Sequence, residues 1–470
     1  MNSSATQMPD AEATQMLEDL ALGEDYALTS EYVEMVVDAA DRGDGMRLRE
    51  LVAALHPADV ADLLGFLSAE HRDEVVPWLP PDVLAETLPE LDDGVREDVL
   101  ESIAPRTLAE ALQELDSDDA TGIVEDLEDD QRRAVLAAMP DAERASLETA
   151  LGYAEDSAGR LMQREVMAAP QFWTVGHAID HMRGQGDDLP ELFFDIYVVD
   201  PGQRPVGAIP VSGLLRAQRE VKLSDLMEPI TEIAVDLEQE EVAYIFEKYH
   251  LISAPVIDAG GRLVGQITVD DIVNIIQEEN QEDMLALAGV TDAGRDADVG
   301  EVVRSRIPWL VVNLGTALIA STVIGLFQGQ IEQLVALAVL MPVVASIGGN
   351  AGTQALTVSV RALAMREVSA ANGWRILRRE IAVGLFNGVA IAILLSGVTW
   401  LWFREPMLSV VIGLAVIINL VAAALAGTLA PLALDRLGRD PAVASPVFVS
   451  WVTDTIGFLA FLGLAALILL

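Results

Sequence analysis

The C-terminal part of the chain contains five apolar stretches, each long enough to cross a lipid bilayer as a helix of about 20 residues. In lipid only helices and closed barrels satisfy every backbone polar group, so such stretches predict membrane helices. They cover Ile307–Phe327, Leu334–Val360, Ile381–Phe403, Leu408–Leu434 and Pro446–Leu470. The sequence therefore predicts a multi-pass membrane protein whose long N-terminal part lies outside the bilayer.

The arginines beside these stretches predict the orientation. Nine of them precede the first stretch or lie in the second and fourth loops, and Arg404 alone lies on the other side. Arginine-rich loops stay in the cytoplasm. The polar, acidic N-terminus also lacks the basic start and apolar run of a signal peptide. We expect an inner-membrane protein with a cytoplasmic N-terminus and with Leu470 outside.

Asp454 lies inside the last stretch and is the only acid well within any of the five. A carboxylate at membrane depth is costly unless it faces a bundle interior or a water-filled path, so Asp454 is a candidate ion ligand in a pore. We also expect Pro342 and the glycines after it to break the second stretch and line a pore. Close helix packing through these small residues is the alternative. The predicted pore-lining residues are Gly349, Asn350, Gln354, Ser450 and Thr453.

The charge of the chain is concentrated ahead of the membrane stretches. The first 306 residues contain 67 acidic and 21 basic side chains, whereas the rest of the chain is close to neutral. Such a region repels nucleic acid and attracts cations, although an acidic surface also serves solubility or a salt-rich habitat. Cysteine is absent, which excludes disulfides and cysteine metal sites. We expect no catalytic residues and no enzymatic activity.

A 12-residue repeat follows an acidic segment, residues 1–50, that we expect to be partly flexible. Pro57, Pro81 and Pro105 mark alternate units, where proline suits the first turn of a helix. One short helix and a turn for each unit predict a helical solenoid over residues 51–150. Its acids, such as Glu86, Asp118 and Asp119, are by default solvated surface. The repeated apolar positions are Leu55, Leu67, Leu79, Leu91, Ile103, Leu115, Leu127 and Met139.

Residues 155–277 contain a second duplication, with copies at 155–221 and 222–277. Each copy reads as strand, turn, strand and helix, and we align Val166-Met167 with Leu226-Met227 as their openings. The pair resembles two cystathionine β-synthase (CBS) domains, which commonly bind adenine nucleotides. That resemblance implies an ATP-like ligand at the second copy, with Thr268 and Asp271 on the ribose. The first copy has Pro210 and Gly213 instead, and an empty, purely structural second pocket is the alternative.

A linker helix, residues 278–304, joins this pair to the membrane domain at 305–470. Glu279, Glu282 and Asp283 are three and four residues apart, so they share one helix face. Like charges at this spacing destabilise a helix unless a cation intervenes, and a hard divalent ion would suit them. The alternative is a solvated linker.

The order of these parts resembles the MgtE family of bacterial magnesium channels, most specifically in PVVASIGGNAGTQ, VRALA and TDTIG. The resemblance implies a homodimer with Mg²⁺ on Asp454 in a pore between protomers. It also implies cytoplasmic domains that bind Mg²⁺ and then close the pore through the linker helix. Gly122, His250 and Asn274 stand where acids are expected, and Glu247 lies one turn before His250. The implied cytosolic ligands are Glu86, Asp118, Glu238, Glu240, Glu247, Asp271, Glu279, Glu282, Asp283 and Asp440.

We therefore predict a multidomain membrane protein with an all-α helical-repeat solenoid, an α/β tandem CBS pair, a linker helix and a five-helix transmembrane domain. Its partners would be a second copy of the chain, divalent cations and the lipid bilayer. Two alternatives stay open: a membrane-anchored nucleotide sensor that moves no ion, and a transporter of Mn²⁺ or Co²⁺. Oxygen ligands favour hard ions without ranking them.

Overall fold

The computed structural model describes residues 17, 20–23, 26–184, 189–190, 192–288, 290, 299–368 and 373–469. The chain divides into two compact units. The first comprises Met1–Ile276 with Gly294–Asp296, and the second comprises Gln277–Ala293 with Ala297–Leu470.

The first unit begins with short helices that follow the 12-residue repeat. Three helices begin at Pro57, Pro81 and Pro105, which confirms the predicted role of these prolines. The helices are α1 Ser30–Asp41, α2 Gly45–Val52, α3 Pro57–Phe66, α4 Ala69–Val75, α5 Pro81–Thr87, α6 Asp93–Ser102, α7 Pro105–Ala111, α8 Ser117–Asp126, α9 Asp129–Ala138 and α10 Asp141–Ala150. Each repeat from Pro57 onwards therefore forms one α-helix, and a short 3-10 helix, Val76–Trp78, follows α4.

The helices of the solenoid stack in two layers. Helices α3, α5, α7 and α9 contact one another in turn on one side, and α4 contacts α6, as α8 contacts α10, on the other. The repeated leucines lie in the core between the layers. Tyr32 in α1 is also fully buried, and its hydroxyl donates to the Leu51 carbonyl at 2.7 Å. The helical domain therefore begins before residue 51, the predicted boundary.

The α/β part contains two three-stranded sheets with the same topology. In each sheet the first two strands are parallel, the last two are antiparallel, and the register shifts near the end of the middle strand. Tyr197 on one middle strand donates to Ser253 on the other at 2.9 Å. The elements are α11 Ala158–Leu161, β1 Ala168–Pro170, α12 Val175–Gly184, β2 Asp195–Val199, β3 Pro205–Pro210, α13 Val211–Arg216, α14 Leu223–Leu226, β4 Ile233–Ala234, α15 Gln239–Tyr249, β5 Ser253–Ile257 and β6 Leu263–Thr268.

The two copies exchange their leading segments. Gln163 pairs through both backbone hydrogen bonds with Gln266 on β6, so the segment that precedes the first sheet completes the second. Glu228 pairs in the same way with Ala208 on β3 of the first sheet. Accordingly, Met162 is buried in the core of the second copy and Met227 packs against that of the first. Met162, not Met167, is the counterpart of Met227, and the predicted division at 221/222 does not separate the folded modules.

The second unit contains five helices of sufficient length and hydropathy to span a membrane. Of these, α21 packs against α19, α20 and α22 and is the most deeply buried. Helix α16, Val269–Ala288, precedes the spans and crosses the division between the units. The remaining helices are α17 Val299–Leu326, α18 Gln328–Gln333, α19 Ala336–Ala364, α20 Gly373–Phe403, α21 Pro406–Arg436 and α22 Pro441–Ile468. All five predicted spans are thus found.

Helix α19 runs without interruption through Pro342, so the predicted break in this span is wrong. Its glycines instead allow neighbouring helices to pack closely against it. A Cβ at Gly348 would lie 2.1 Å from Nδ2 of Asn419 on α21, and one at Gly352 would lie 2.5 Å from Val449 on α22. Asn419 is fully buried, and its Nδ2 donates to the Val344 carbonyl at 3.0 Å. Close packing through small residues therefore explains these two positions.

Candidate functional site

A group of carboxylates lies where the solenoid meets the second α/β module. Helix α8 has Asp118 and Asp119 in its first turn, and α16 has Asp270 and Asp271 in its first turn. The electrostatic interaction of Asp271 with both solenoid aspartates shows that the two turns lie close together. We call these four residues, together with Asp116, the carboxylate cluster.

Burial and mutual repulsion disfavour the charged form of this cluster. Burial, together with the neighbouring Asp271 and Asp116, raises the pKa of Asp119 to about 7. Burial and the neighbouring Asp271 raise the pKa of Asp118 well above its ordinary value. Burial and Asp270 raise the pKa of Asp271 to about 6, although a hydrogen bond from Thr268 opposes the shift. The dominant charges acting on these three groups are other carboxylates.

A set of hydrogen bonds holds the two turns together despite this repulsion. Ser117, at the start of α8, donates to Oε2 of Glu165 at 2.8 Å and accepts from the Arg164 backbone N–H at 2.8 Å. The Glu165 carbonyl accepts from Nε2 of Gln266 on β6 at 3.0 Å. Arg160 also forms a 2.9 Å ion pair with Glu125 of α8. Because β6 leads directly into α16, these bonds fix Asp271 beside the solenoid.

The donors of this cluster are carboxylate oxygens, which suit a hard divalent cation such as Mg²⁺. Across the residues that the structure describes, no group of three or more histidine or acidic side chains is already arranged to hold a metal ion. An ion would therefore have to draw the carboxylates closer together than they stand here.

Only two of the predicted cytosolic ligands, Asp118 and Asp271, belong to the cluster. Glu86 is exposed on α5, and Glu240 and Glu247 are exposed at the two ends of α15. Glu238 is the N-cap residue of α15 and forms a backbone bridge with Ser157. These four side chains are not among the charges that shift the pKa values of the cluster.

Sequence reasoning missed part of the site. It left Asp119 as solvated surface and did not predict Asp116 or Asp270 as site residues. Glu90 also raises the pKa of Asp119. The pair Asp270-Asp271 directly after a strand, at the start of a helix, was the available signal. His250 has left-handed backbone at the C-cap of α15, with φ 54°, and its side chain is exposed.

The linker acids lie on the second half of α16. Glu279 and Asp283 are half-buried, and Glu282 is exposed. One turn further on, Ala286 and Leu287 pack against a cluster formed by the ends of three spans. The buried residues of that cluster are Leu356 and Val360 of α19, Ala426 of α21, and Ala442 and Val449 of α22. The end of the linker helix therefore belongs to the membrane unit.

Asp454 is half-buried on α22, and Ser450, one turn earlier, is also half-buried. Thr453 is fully buried, and its hydroxyl donates to the Ser450 carbonyl at 3.0 Å. Thr453, which we predicted to line a pore, therefore lies on the packed side of α22 in the single chain. Asp440 is the N-cap residue of α22, and its Oδ1 accepts from the Ala442 N–H at 2.7 Å.

One face of α19 presents polar side chains away from the other spans. Asn350, Thr353, Gln354 and Thr357 are exposed, and a Cβ at Gly349 would meet nothing within 4 Å. The opposite face packs on α22, where Gly352 lies level with Thr453. The exposed polar face therefore lies at the same depth as Asp454.

In the second α/β module, the Thr268 hydroxyl donates to Oδ2 of Asp271 at 2.9 Å. In the first, Pro210 ends β3 and Gly213 lies in α13. The predicted asymmetry between the two copies is therefore present, because only the second presents a hydroxyl and a carboxylate together.

Three family models match successive parts of the chain. They are the MgtE intracellular N domain over residues 55–156, the CBS domain over 223–278 and a divalent cation transporter over 341–464. Five membrane helices preceded by acidic helical repeats and a CBS pair define a membrane transport protein for divalent cations.

Relatives that match most of the chain show which family of cation transporters it belongs to. The chain is 34% identical to the magnesium transporter MgtE of Thermus thermophilus over 446 residues, which cover 92% of this chain and 97% of that protein. It is 30% identical to the MgtE of Bacillus subtilis over 74% of this chain and 78% of that protein. The chain belongs to the MgtE family of magnesium transporters.

Solved structures of such proteins are also similar. One is the cytosolic domain of the Mg²⁺ channel MgtE in complex with ATP, with 32% identity and a TM-score of 0.49 over 52% of this chain and 99% of that one. Another is the soluble part of a magnesium transporter, with 26% identity and a TM-score of 0.47 over 53% and 98%.

Proposed function

We propose that the chain is a homodimeric channel that imports Mg²⁺ across the inner membrane and that cytosolic Mg²⁺ closes it. The observation that carries this proposal is the carboxylate cluster, in which burial and repulsion raise the pKa of Asp119 to about 7. Of the five residues, Asp118, Asp119 and Asp271 are half-buried, and Asp116 and Asp270 are exposed. Mutually repelling acids of this kind make the cluster a poor structural element but a good sensor. Its free energy changes strongly when a divalent cation neutralises it.

Ion binding would bias a two-state equilibrium. Without Mg²⁺ the carboxylates of α8 and α16 repel one another, and the cytosolic domains favour separation. With Mg²⁺ the same carboxylates share ions, and the compact arrangement is favoured by the difference in ion affinity between the two states. Helix α16 carries Asp271 in its first turn and Leu287 in its last, so it links the sensor to the ends of the spans.

Asp454 and the polar face of α19 would line the pore. Polar groups at membrane depth are costly against lipid, so we expect this face to meet water or a second protomer. A pore between two copies would place two Asp454 carboxylates around one path. Mg²⁺ gives up its water reluctantly, which favours binding of the hydrated ion by such carboxylates. The arginine-rich loops would lie in the cytoplasm and Leu470 outside.

Flux into liposomes tests this function. Purified protein should admit Mg²⁺ when the solution facing the cytosolic domains is poor in Mg²⁺, and the rate should fall as Mg²⁺ is added on that side. Parallel assays with Mn²⁺ and Co²⁺ measure selectivity. A protein that binds nucleotide and moves none of these ions would instead be a membrane-anchored sensor.

We predict that replacing Glu279, Glu282 and Asp283 with glutamines leaves the channel conducting at high cytosolic Mg²⁺. Three acids on one face of α16 favour closure only if a cation neutralises them. The measurement is flux at graded Mg²⁺, and Glu278→Gln on the same helix is the control. Unchanged block in the triple variant would identify these acids as solvated surface.

Binding of Mg²⁺ to the cluster should depend on pH. The ion needs ionised ligands, and the folded protein raises the pKa of Asp119 to about 7. Between pH 8 and pH 6 this group becomes protonated, so we expect the Mg²⁺ affinity to fall by about tenfold and protons to be released on binding. Calorimetry in two buffers with different ionisation enthalpies measures this release. Asp119→Asn should reduce it, and Asp130→Asn should not.

We further propose that only the second CBS module binds an adenine nucleotide. In support, Thr268 and Asp271 are hydrogen-bonded to each other in that module. A ribose would take over both groups, and the negative surroundings would require Mg²⁺ beside the phosphates. Calorimetry with ATP and Mg²⁺ should give one site per chain, at least about tenfold weaker in Thr268→Val. Two sites per chain, or none, would contradict this prediction.

A further inference from the structure

A cavity of about 480 Å³ lies between the end of α19 and the start of α20, and neither Asp454 nor a residue of the carboxylate cluster lines it. Three arginines line it: Arg361 from α19 and Arg375 and Arg379 from α20. Glu367 and Glu380 line it as well. The cavity therefore offers charges of both signs in one place, on the arginine-rich side of the spans.

Glu380 is the most deeply placed of these groups. It is only 8% exposed, and Arg379 lies 3.3 Å from its Oε1. Arg375 and Arg379 are one turn apart on α20, so both face the same opening. Arg361 meets them from the neighbouring helix. Paired guanidinium groups of this kind suit the oxygens of a phosphate.

The remaining wall of the cavity is largely apolar. Val358 and Ala362 contribute from α19, and Ile376 contributes from α20. These residues lie near the ends of membrane-spanning helices, at the depth where apolar chains meet headgroups. Basic pockets between spans at this level bind lipid headgroups, whose chains continue along the apolar surface. An amphiphile suits this combination better than a small soluble anion.

We propose that the cavity binds a phospholipid headgroup that carries both a phosphate and a primary amine. The three arginines bind the phosphate, and Glu367 and Glu380 accept hydrogen bonds from the ammonium. Arginines alone would favour any anionic lipid. The two glutamates make a headgroup with both charges the better complement. This inference does not depend on the proposed gating.

Native mass spectrometry of the full-length protein tests the proposal. The protein is exchanged into equimolar phosphatidylethanolamine, phosphatidylglycerol and phosphatidylcholine, then released from the membrane, and the retained lipids are counted. We expect phosphatidylethanolamine to be retained at least about tenfold better than the other two. Soluble phosphoethanolamine at millimolar concentration should not displace it if the lipid is the ligand. Displacement would identify a free phosphoethanolamine as the ligand and overturn the lipid assignment.

Variants locate the binding to this cavity. Arg379→Gln should lower retention by about tenfold, as expected for the loss of a charged hydrogen bond. Arg378→Gln is the matched control, because Arg378 is exposed on the same turn and does not line the cavity. Glu380→Gln should keep the lipid but remove the preference over phosphatidylglycerol. Equal retention of all three lipids, or equal loss in Arg378→Gln, would refute the proposal. Circular dichroism checks that each variant is folded.

Discussion

Liposomes that contain the Asp454→Ala variant are expected to take up Mg²⁺ no faster than empty liposomes. Asp454 is the acid within the fifth span and is only half-buried by the single chain. We therefore expect it to face the proposed water-filled path. Alanine would remove the negative charge that we propose attracts the hydrated divalent ion in the pore. Asp454→Asn keeps the shape without the charge and should be almost as inactive.

Glu332→Gln is the matched control for this experiment. Glu332 is exposed on the short helix α18, where it accepts from Nε2 of Gln328 at 2.9 Å. Its loss should leave the uptake rate within about twofold of the unmodified protein, as is usual for an exposed acid. Uptake at the normal rate by a folded Asp454→Ala protein would show that the ion path lies elsewhere.

Flux through the Asp118→Asn/Asp119→Asn variant should persist at cytosolic Mg²⁺ concentrations that close the unmodified protein. These side chains retain an amide oxygen but lose the charges with which the cluster would hold an ion. We expect at least about a tenfold increase in the Mg²⁺ concentration needed for half-closure, which corresponds to about 1.4 kcal/mol of coupling.

The repeat supplies the control for this variant. Asp130 stands 12 residues after Asp118, in the first turn of the next helix, α9, and its side chain is exposed. Asp130→Asn should close normally. If the double variant were closed at every Mg²⁺ concentration, the carboxylates would act by repulsion alone, and the ion bridge between α8 and α16 would be wrong.

Local periodicity explains why much of the fold was predictable. The 12-residue spacing determines one helix for each unit, and uninterrupted apolar runs determine the five spans. Asp119 was missed because nothing local separates it from the solvated acids of the other repeats. Its pKa is raised in part by Asp271, about 150 residues further along the chain, and the sequence alone does not show that the two are close.

The second span shows the same limit. Pro342 and the glycines after it have the composition of a broken helix, and a break was the wrong prediction. Glycine is needed at position 348 because the amide of Asn419, on another helix, occupies the space that a side chain would fill. Composition indicated that the backbone is closely approached here. It did not indicate which side chain approaches the backbone.

The exchange of leading segments between the two α/β modules has a consequence for synthesis on the ribosome. Ala208 on β3 cannot form its backbone hydrogen bonds until Glu228 has been synthesised. Gln163 likewise cannot pair until Gln266 has been synthesised, about 100 residues later. The first sheet therefore lacks Glu228 when its own strands have emerged, and the segment around Gln163 stays unpaired until the second sheet has formed. The pair should therefore fold late and in one cooperative step, and a chain truncated between the copies should be recognised by proteases as unfolded.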